Sequence, residues 1–209
     1  MKSYEQYCPV ACALDVVGDR WTLLVLRELS LGAQRFTDLR RQLPGIPPKL
    51  LVERLDALQA NGLVERRGVG EGARHVYALT KDGEAVRDPL RALSRFGIRF
   101  LPGDTPPDGL PPRRALSALL LAYARPVPAA AGARWRIVLD GTPLDVVVDA
   151  NGVPRFADGL TDAPDDVLDT RIADLVALRR TGQPVPAPEG SLLAQAFGLS
   201  LAAADYAPA

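Results

Sequence analysis

Basic side chains punctuate the stretch RFTDLRRQLPGIPPKLLVERLDALQANGLV, residues 35–64: Arg35, Arg40, Arg41, Lys49 and Arg54. A second basic group, Arg66, Arg67, Arg74 and His75, follows closely. Groups of this kind can neutralise phosphates or donate to the edges of bases. Glu53, between them, can accept from a cytosine amino group or pair with a neighbouring Arg. The bland reading is a solvated helical face. Charge alone favours that reading, so the elements carrying these groups must decide.

Leu14, Val17, Trp21, Leu24 and Val25 recur at helical spacing, and the pattern runs on to Leu29, with Ser30 to Gly32 as a stop. Phe36, Leu39 and Leu43 mark a second helix that ends at Pro44-Gly45. A third runs from about Pro47 to Asn61, with Leu51, Leu55 and Leu58 as its buried stripe and Asn61-Gly62 as its stop. Pro47 and Pro48 suit the first turn of that helix. Val64 then opens a strand, glycines cluster in GVGEG, and HVYALT is a second strand, which makes a hairpin with a basic tip. Gly83 to Leu101 is another amphipathic helix, with Val86, Leu90, Leu93 and Gly97 on one side. Helix, helix, tight turn, helix, hairpin, helix is the winged helix-turn-helix plan. It holds one helix rigidly across another, so that the second can enter a major groove about 12 Å wide.

Composition bounds the rest. Of 209 residues 47% are hydrophobic and 24% charged, as in ordinary soluble domains. Net charge is zero, but residues 1–103 hold 16 Lys+Arg against 12 Asp+Glu, a surplus of +4. The remainder holds 9 against 13, a deficit of −4, so the two halves suit different partners. No apolar stretch approaches the roughly 18 residues of a membrane helix. The start, MKSYEQYCPV, lacks a signal-peptide core. A cytoplasmic location with no membrane partner is expected.

Residues 8–101 resemble the HxlR-type winged helix-turn-helix transcription regulators. The carriers are CPVACALDVVGDRWTLLVLREL, RFTDLRRQLPGIPPKLLVERLDALQANGLVERR and HVYALTKDGEAV. The resemblance implies a homodimer on a palindromic double-stranded operator, with the first and last helices of the winged domain making the dimer contacts. It maps the recognition helix onto residues 47–61. Lys49 would face the groove, with Pro48, Val52 and Glu53 beside it. Arg54 matches a position that is usually basic in the family, and Arg66, Arg67, Arg74 and His75 occupy the wing. Dimer contacts are expected from Leu14, Val17 and Trp21 at one end and Leu90, Leu93 and Gly97 at the other.

Trp21 could also stack on a ligand, but its place on the apolar stripe suits a core or dimer role. Cys8 and Cys12 lie four residues apart and share a helical face if the helix starts that early. Some members of the resembled family sense oxidants or electrophiles through an N-terminal cysteine. The alternative is an inert free thiol in a reducing compartment. Two thiols and the single His75 fall short of a four-ligand zinc site. No metal and no cofactor are expected.

The segment PGDTPPDGLPPRR, residues 102–114, has five prolines and two glycines and reads as a linker. The expected organisation is therefore a winged domain at 1–101, the linker, and a small α+β domain at 115–209. In the last, RRALSALLLAYARPV is an apolar helix, and RWRIVLDG and LDVVVDANGVPRFADG are strands turned at Asp140-Gly141 and Asn151-Gly152. Val167, Ile172, Leu175, Val176 and Leu178 set a helical pattern over residues 162–180, and EGSLLAQAFGLSL is a final helix. The order and texture of these segments resemble the sterol-carrier-protein-like fold, which implies a tunnel for a small apolar effector. The competing role is an enlarged dimer interface. No G-x-S-x-G, phosphate loop or metal-ligand set occurs, which points away from an enzyme. Two other function classes stay open: a redox or electrophile sensor working through Cys8, and a small-molecule binding protein whose winged domain only dimerises.

Overall fold

The computed structural model describes residues 3–68, 75–101, 110–157, 163–175 and 191–197. The chain divides into two compact units, Met1–Leu90 and Arg91–Ala209.

The first unit runs α1 (Pro9–Val17), α2 (Thr22–Ser30), α3 (Phe36–Gln42), α4 (Pro48–Ala60), β1 (Val64–Gly68), β2 (His75–Leu79), a 3₁₀ turn (Gly83–Val86) and the start of α5 (Arg87–Ile98). Four helices followed by an antiparallel two-stranded wing make the expected winged helix-turn-helix. Val25, Leu26, Leu29, Leu39, Leu51, Leu55 and Leu58 fill the core. Their spacing puts one stripe of each helix inside and leaves the opposite face wet. The wing pairs Val64 with Leu79 and Gly68 with His75. It is joined to the helices by a two-way backbone bond between Gln34 and Tyr77, 2.9 and 2.8 Å. Thr80 Oγ1 accepts from Gly83 N at 2.9 Å and donates to Gly62 O at 2.6 Å, closing the wing's exit against its entrance.

Two helix expectations change. The single helix from Leu14 to Leu29 is two helices, separated by a turn at residues 18–21 in which Trp21 is left-handed, φ 77°. The break is four residues long, close to the 3.6-residue helical period, so apolar spacing passes through it unaltered. The helix expected from Gly83 to Leu101 begins as the 3₁₀ turn, with the α-helix starting at Arg87 and ending at Ile98.

The second unit holds the rest of α5, then α6 (Pro112–Tyr123), a 3₁₀ turn (Pro128–Ala130), β3 (Arg134–Leu139), β4 (Thr142–Val148), β5 (Pro154–Phe156), β6 (Asp166–Thr170) and α7 (Leu192–Phe197). Its sheet has the order β5-β4-β3-β6, with β6 parallel to β3 and the other pairs antiparallel. Trp135, Ile137, Leu139, Val146, Val148 and Leu168 line the buried face. α6 begins at Pro112, inside the proline-rich segment, because a proline at the first helical position gives up no intrahelical bond. The Asp140-Gly141 turn has both residues at positive φ, as a tight hairpin requires. Asp149 nucleates the next turn by accepting from Asn151 N at 2.8 Å and Val153 N at 3.0 Å, and it pairs with Arg155 at 2.7 Å.

The helical pattern expected over residues 162–180 is overturned at 166–170, which form strand β6. Leu168 and Thr170 are buried while Val167 and Asp169 are exposed. That alternation is a strand period, hidden in the sequence because a helix turn at 172–175 follows directly. Val176 and Leu178 lie outside the described residues.

Candidate nucleic-acid interface

α3 and α4 are joined by Leu43-Pro44-Gly45-Ile46-Pro47. Gly45 takes φ 91°, and Pro47 is extended at the α4 cap. Leu39, Leu43 and Ile46 are buried beneath this corner and fix it. On α4 the buried stripe of Leu51, Leu55 and Leu58 leaves a continuous outer face: Lys49, Val52, Glu53 and Asp56, at helical spacings of three and four, are all exposed. Val52 is 45% exposed, an uncompensated apolar group in the middle of that face. Pro48 is exposed at its N-terminal edge. Glu53 makes no ion pair with a neighbouring Arg among the described residues.

Arg54 is placed differently. Its guanidinium is drawn to Asp19 in the α1–α2 turn, with the side chain only 19% exposed. It does not share the Lys49 face. Asp19 and Asp56 were missed as site residues by sequence reasoning. Asp56 could have been found, since it lies seven residues from Lys49 on the same helical face. Asp19 could not, because nothing local links it to Arg54.

The flanking basic groups split into two kinds. Arg35, at the α3 cap, and Arg40 are exposed and make no ion pair among the described residues. Arg41 is exposed but pairs with Asp38 at 3.0 Å. On the wing, Arg67 pairs with Glu65, and Arg66 Nη2 lies 3.1 Å from His75 Nδ1. Arg74 lies outside the described residues.

Among the residues expected at a dimer contact, Leu14 is 41% exposed and Val17 and Trp21 are half-buried. Val10 and Leu14 on α1, and Tyr7 just before it, are exposed apolar side chains. Leu90 is a correction. It is buried within this chain, as Val86 is, so its side chain is not available to a second copy. Leu93 is exposed and Gly97 half-buried, followed by exposed Phe96, Phe100 and Leu101. Arg99 lies over the Phe96 and Phe100 rings, at 4.5 and 5.5 Å from their centroids. Cys8 caps α1 and is half-buried, while Cys12 is exposed with its sulfur 4.0 Å from Gln6 O. Among the described residues no cluster of side chains could hold a metal ion, and no helix is long and apolar enough to cross a membrane.

The profile of the HxlR-like helix-turn-helix family matches residues 16–105. An uncharacterised HTH-type transcriptional regulator of Mycobacterium tuberculosis is 41% identical over 103 residues, 49% of this chain and 63% of its own length. The chain thus spans less than two thirds of that relative. YtfH of Escherichia coli, an uncharacterised HTH-type transcriptional regulator, is 37% identical over 92 residues, 44% of this chain and 73% of its own. The HTH-type transcriptional regulator YodB of Bacillus subtilis is 34% identical over 101 residues, 47% of this chain and 90% of its own. The solved reduced form of YodB superposes with a TM-score of 0.41 at 31% identity, covering 46% of this chain and 95% of that one. The buried stripes of α2 and α4, the Pro44-Gly45 corner and the wing all fall within the matched residues, and through them the chain belongs to the HxlR-like helix-turn-helix family.

Proposed function

We propose that the chain is a homodimeric transcription regulator, acting as a repressor, that reads a palindromic double-stranded operator with the outer face of α4. The observation that carries this is the contrast on α4. Leu51, Leu55 and Leu58 are fully buried, while Lys49, Val52, Glu53 and Asp56 stand out together. Lys49 suits guanine O6 or N7, Glu53 and Asp56 accept from cytosine amino groups, and Val52 can meet a thymine methyl. This face carries more acid than base, so it supplies selectivity. Affinity falls to phosphate contacts from Arg35, Arg40 and Arg41 of the α3 region and from Arg66, Arg67, Arg74 and His75 of the wing. Arg54 is not among the base readers.

Dimerisation is supported by the exposed apolar side chains of Val10 and Leu14 on α1 with Tyr7 just before it, and of Leu93 and Phe96 on α5 with Phe100 just after it. Such side chains are covered when a second copy docks. Two recognition helices would then address half-sites about 10 base pairs apart. The second unit is assigned to a small apolar effector. Its buried sheet face is apolar and includes Thr170, whose hydroxyl is buried without a hydrogen-bond partner. An effector acts by preferring the conformation whose recognition helices are wrongly spaced. Nothing in the chemistry of the site calls for an enzyme.

Selection of duplexes from genomic fragments by the full-length chain, followed by footprinting, tests this reading. It expects a symmetric protected site with two half-sites. Failure to retain any duplex, or protection of a single half-site by a monomer, refutes it. A second reading is thiol sensing, favoured by the exposure of Cys12 and the position of Cys8 at the start of α1. Release of DNA by diamide, abolished in Cys8→Ser, would select it.

A further inference from the structure

The turn between α1 and α2 is tightly constrained. A Cβ added to Gly18 would sit 2.4 Å from the Leu14 carbonyl oxygen, so residue 18 tolerates no side chain without a shift of backbone. Three residues on, Trp21 is held in the left-handed region, which costs an ordinary side chain energy and persists only where the surroundings impose it. Arg20 leans over the Trp21 ring at 5.8 Å. The far edge of the indole reaches the α3–α4 corner: Cη2 is 3.8 Å from the place a Cβ on Gly45 would occupy.

Between Gly18 and Trp21 stands Asp19, whose carboxylate accepts from Arg54 Nη1 of α4, 35 positions along the chain. Arg54 Nε is buried with no hydrogen-bond partner. Leaving a donor unsatisfied is unfavourable, so the guanidinium is held by its tie to Asp19 against that cost. The turn therefore holds the middle of α4 through Asp19, with the Trp21 ring lying close to its leading corner.

We infer that Asp19 is a positioning residue for DNA reading. The contacts of Leu51, Leu55 and Leu58 are apolar and non-directional. They keep α4 against the core but leave it free to roll by a few degrees about its axis. A charge-assisted bond is directional. The Asp19–Arg54 tie fixes the roll, and with it the direction in which Lys49, Val52 and Glu53 point. The same tie withholds Arg54 from the phosphates. The inference rests on α4 being the reading helix.

The rival account makes Asp19 a competitor that masks a phosphate-binding Arg54, and the two predict opposite signs. Take the full-length chain and a duplex recovered from a random pool by the unmodified protein, and measure binding by anisotropy across salt concentrations. Positioning expects Asp19→Asn and Arg54→Gln each to weaken binding roughly five- to fiftyfold, with the double variant no worse than either single change. The salt slope stays that of the unmodified chain, because no phosphate contact is lost. Binding by Asp19→Asn that is equal or tighter, with a steeper slope, overturns the inference in favour of masking. A failed reading of α4 shows itself separately, as no duplex retained by the unmodified chain. In that event amide hydrogen exchange judges the tie alone. Asp19→Asn should speed exchange along α4 about fivefold relative to β3, and unchanged exchange would overturn it.

Discussion

Replacing Arg40 with Ala should flatten the salt dependence of DNA binding by a calculable amount. Arg40 is exposed on α3 and makes no ion pair among the described residues, so its charge is available to a phosphate. Each phosphate contact contributes about 0.9 to the slope of log affinity against log salt. A dimer loses two contacts, so the slope should flatten by about 1.8. Raising salt fourfold, from 50 to 200 mM, would then cost the variant roughly twelvefold less affinity than it costs the unmodified chain. A monomer on one half-site would show a change of only about 0.9, or roughly 3.5-fold over the same range. Fluorescence anisotropy at four salt concentrations on one selected duplex measures this. Arg41 provides the contrast. It is already paired with Asp38 at 3.0 Å, so Arg41→Ala should flatten the slope less. An unaltered slope for Arg40→Ala would take α3 off the DNA backbone. Equal effects from Arg40 and Arg41 would show that the Asp38 pair gives way on binding.

Lys49→Ala should cost about 1–3 kcal/mol on the preferred duplex and much less on a scrambled one; equal losses on both would remove Lys49 from base reading. Glu53→Gln should relax preference at one base pair without changing the salt slope, and an unchanged selection logo would refute that role. Gly83→Ala would place a Cβ 2.0 Å from the Leu63 carbonyl oxygen, which also accepts from Thr80 N at 3.0 Å. It should destabilise the first unit by about 2–4 kcal/mol in urea unfolding, and a loss below about 0.5 would mean the backbone yields freely. Burial pushes the Asp149 carboxyl up, but Val153 N–H, the Arg155 guanidinium and Asn151 N–H outweigh it and hold it below the ordinary 3.8. A depressed carboxylate contributes stability that is present above 3.8 and is lost as pH falls through the lower folded value. Asp149→Asn should therefore destabilise the second unit at neutral pH and shallow its loss of stability on acidification; an acid profile identical to the unmodified chain would refute the assignment.

The winged unit was legible because its period, stops and corners are local. The Leu51, Leu55 and Leu58 stripe, the Pro44-Gly45 corner and the Asn61-Gly62 stop each sit within a few residues of what they determine. Hairpin turns at Asp140-Gly141 and Asn151-Gly152 were legible for the same reason. What escaped depends on distance. Arg54 looked like a groove residue because its partner, Asp19, lies on another helix junction. Leu90 looked like an interface residue because burial within the same chain and burial against a copy leave the same apolar mark. The strand at 166–170 escaped because five residues cannot separate a strand period from a helix that follows at once. Its pairing with β3 lies about 30 residues back in the chain.

That parallel pairing bears on how the protein is made. The pairing of β1 with β2 in the wing closes over a short loop. β3 is instead complete only when β6 arrives, after β4 and β5 have been synthesised and laid down on its other side. Long closures are slow to form, so the winged unit can mature on the ribosome while the sheet of the second unit still lacks its last member. Through that interval the backbone of β3 offers an open edge flanked by Trp135, Ile137 and Leu139, the kind of surface that seeds association between nascent chains. Truncation before residue 166 would make the interval permanent. The resulting fragments should precipitate, whereas those ending before β3 should remain dispersed.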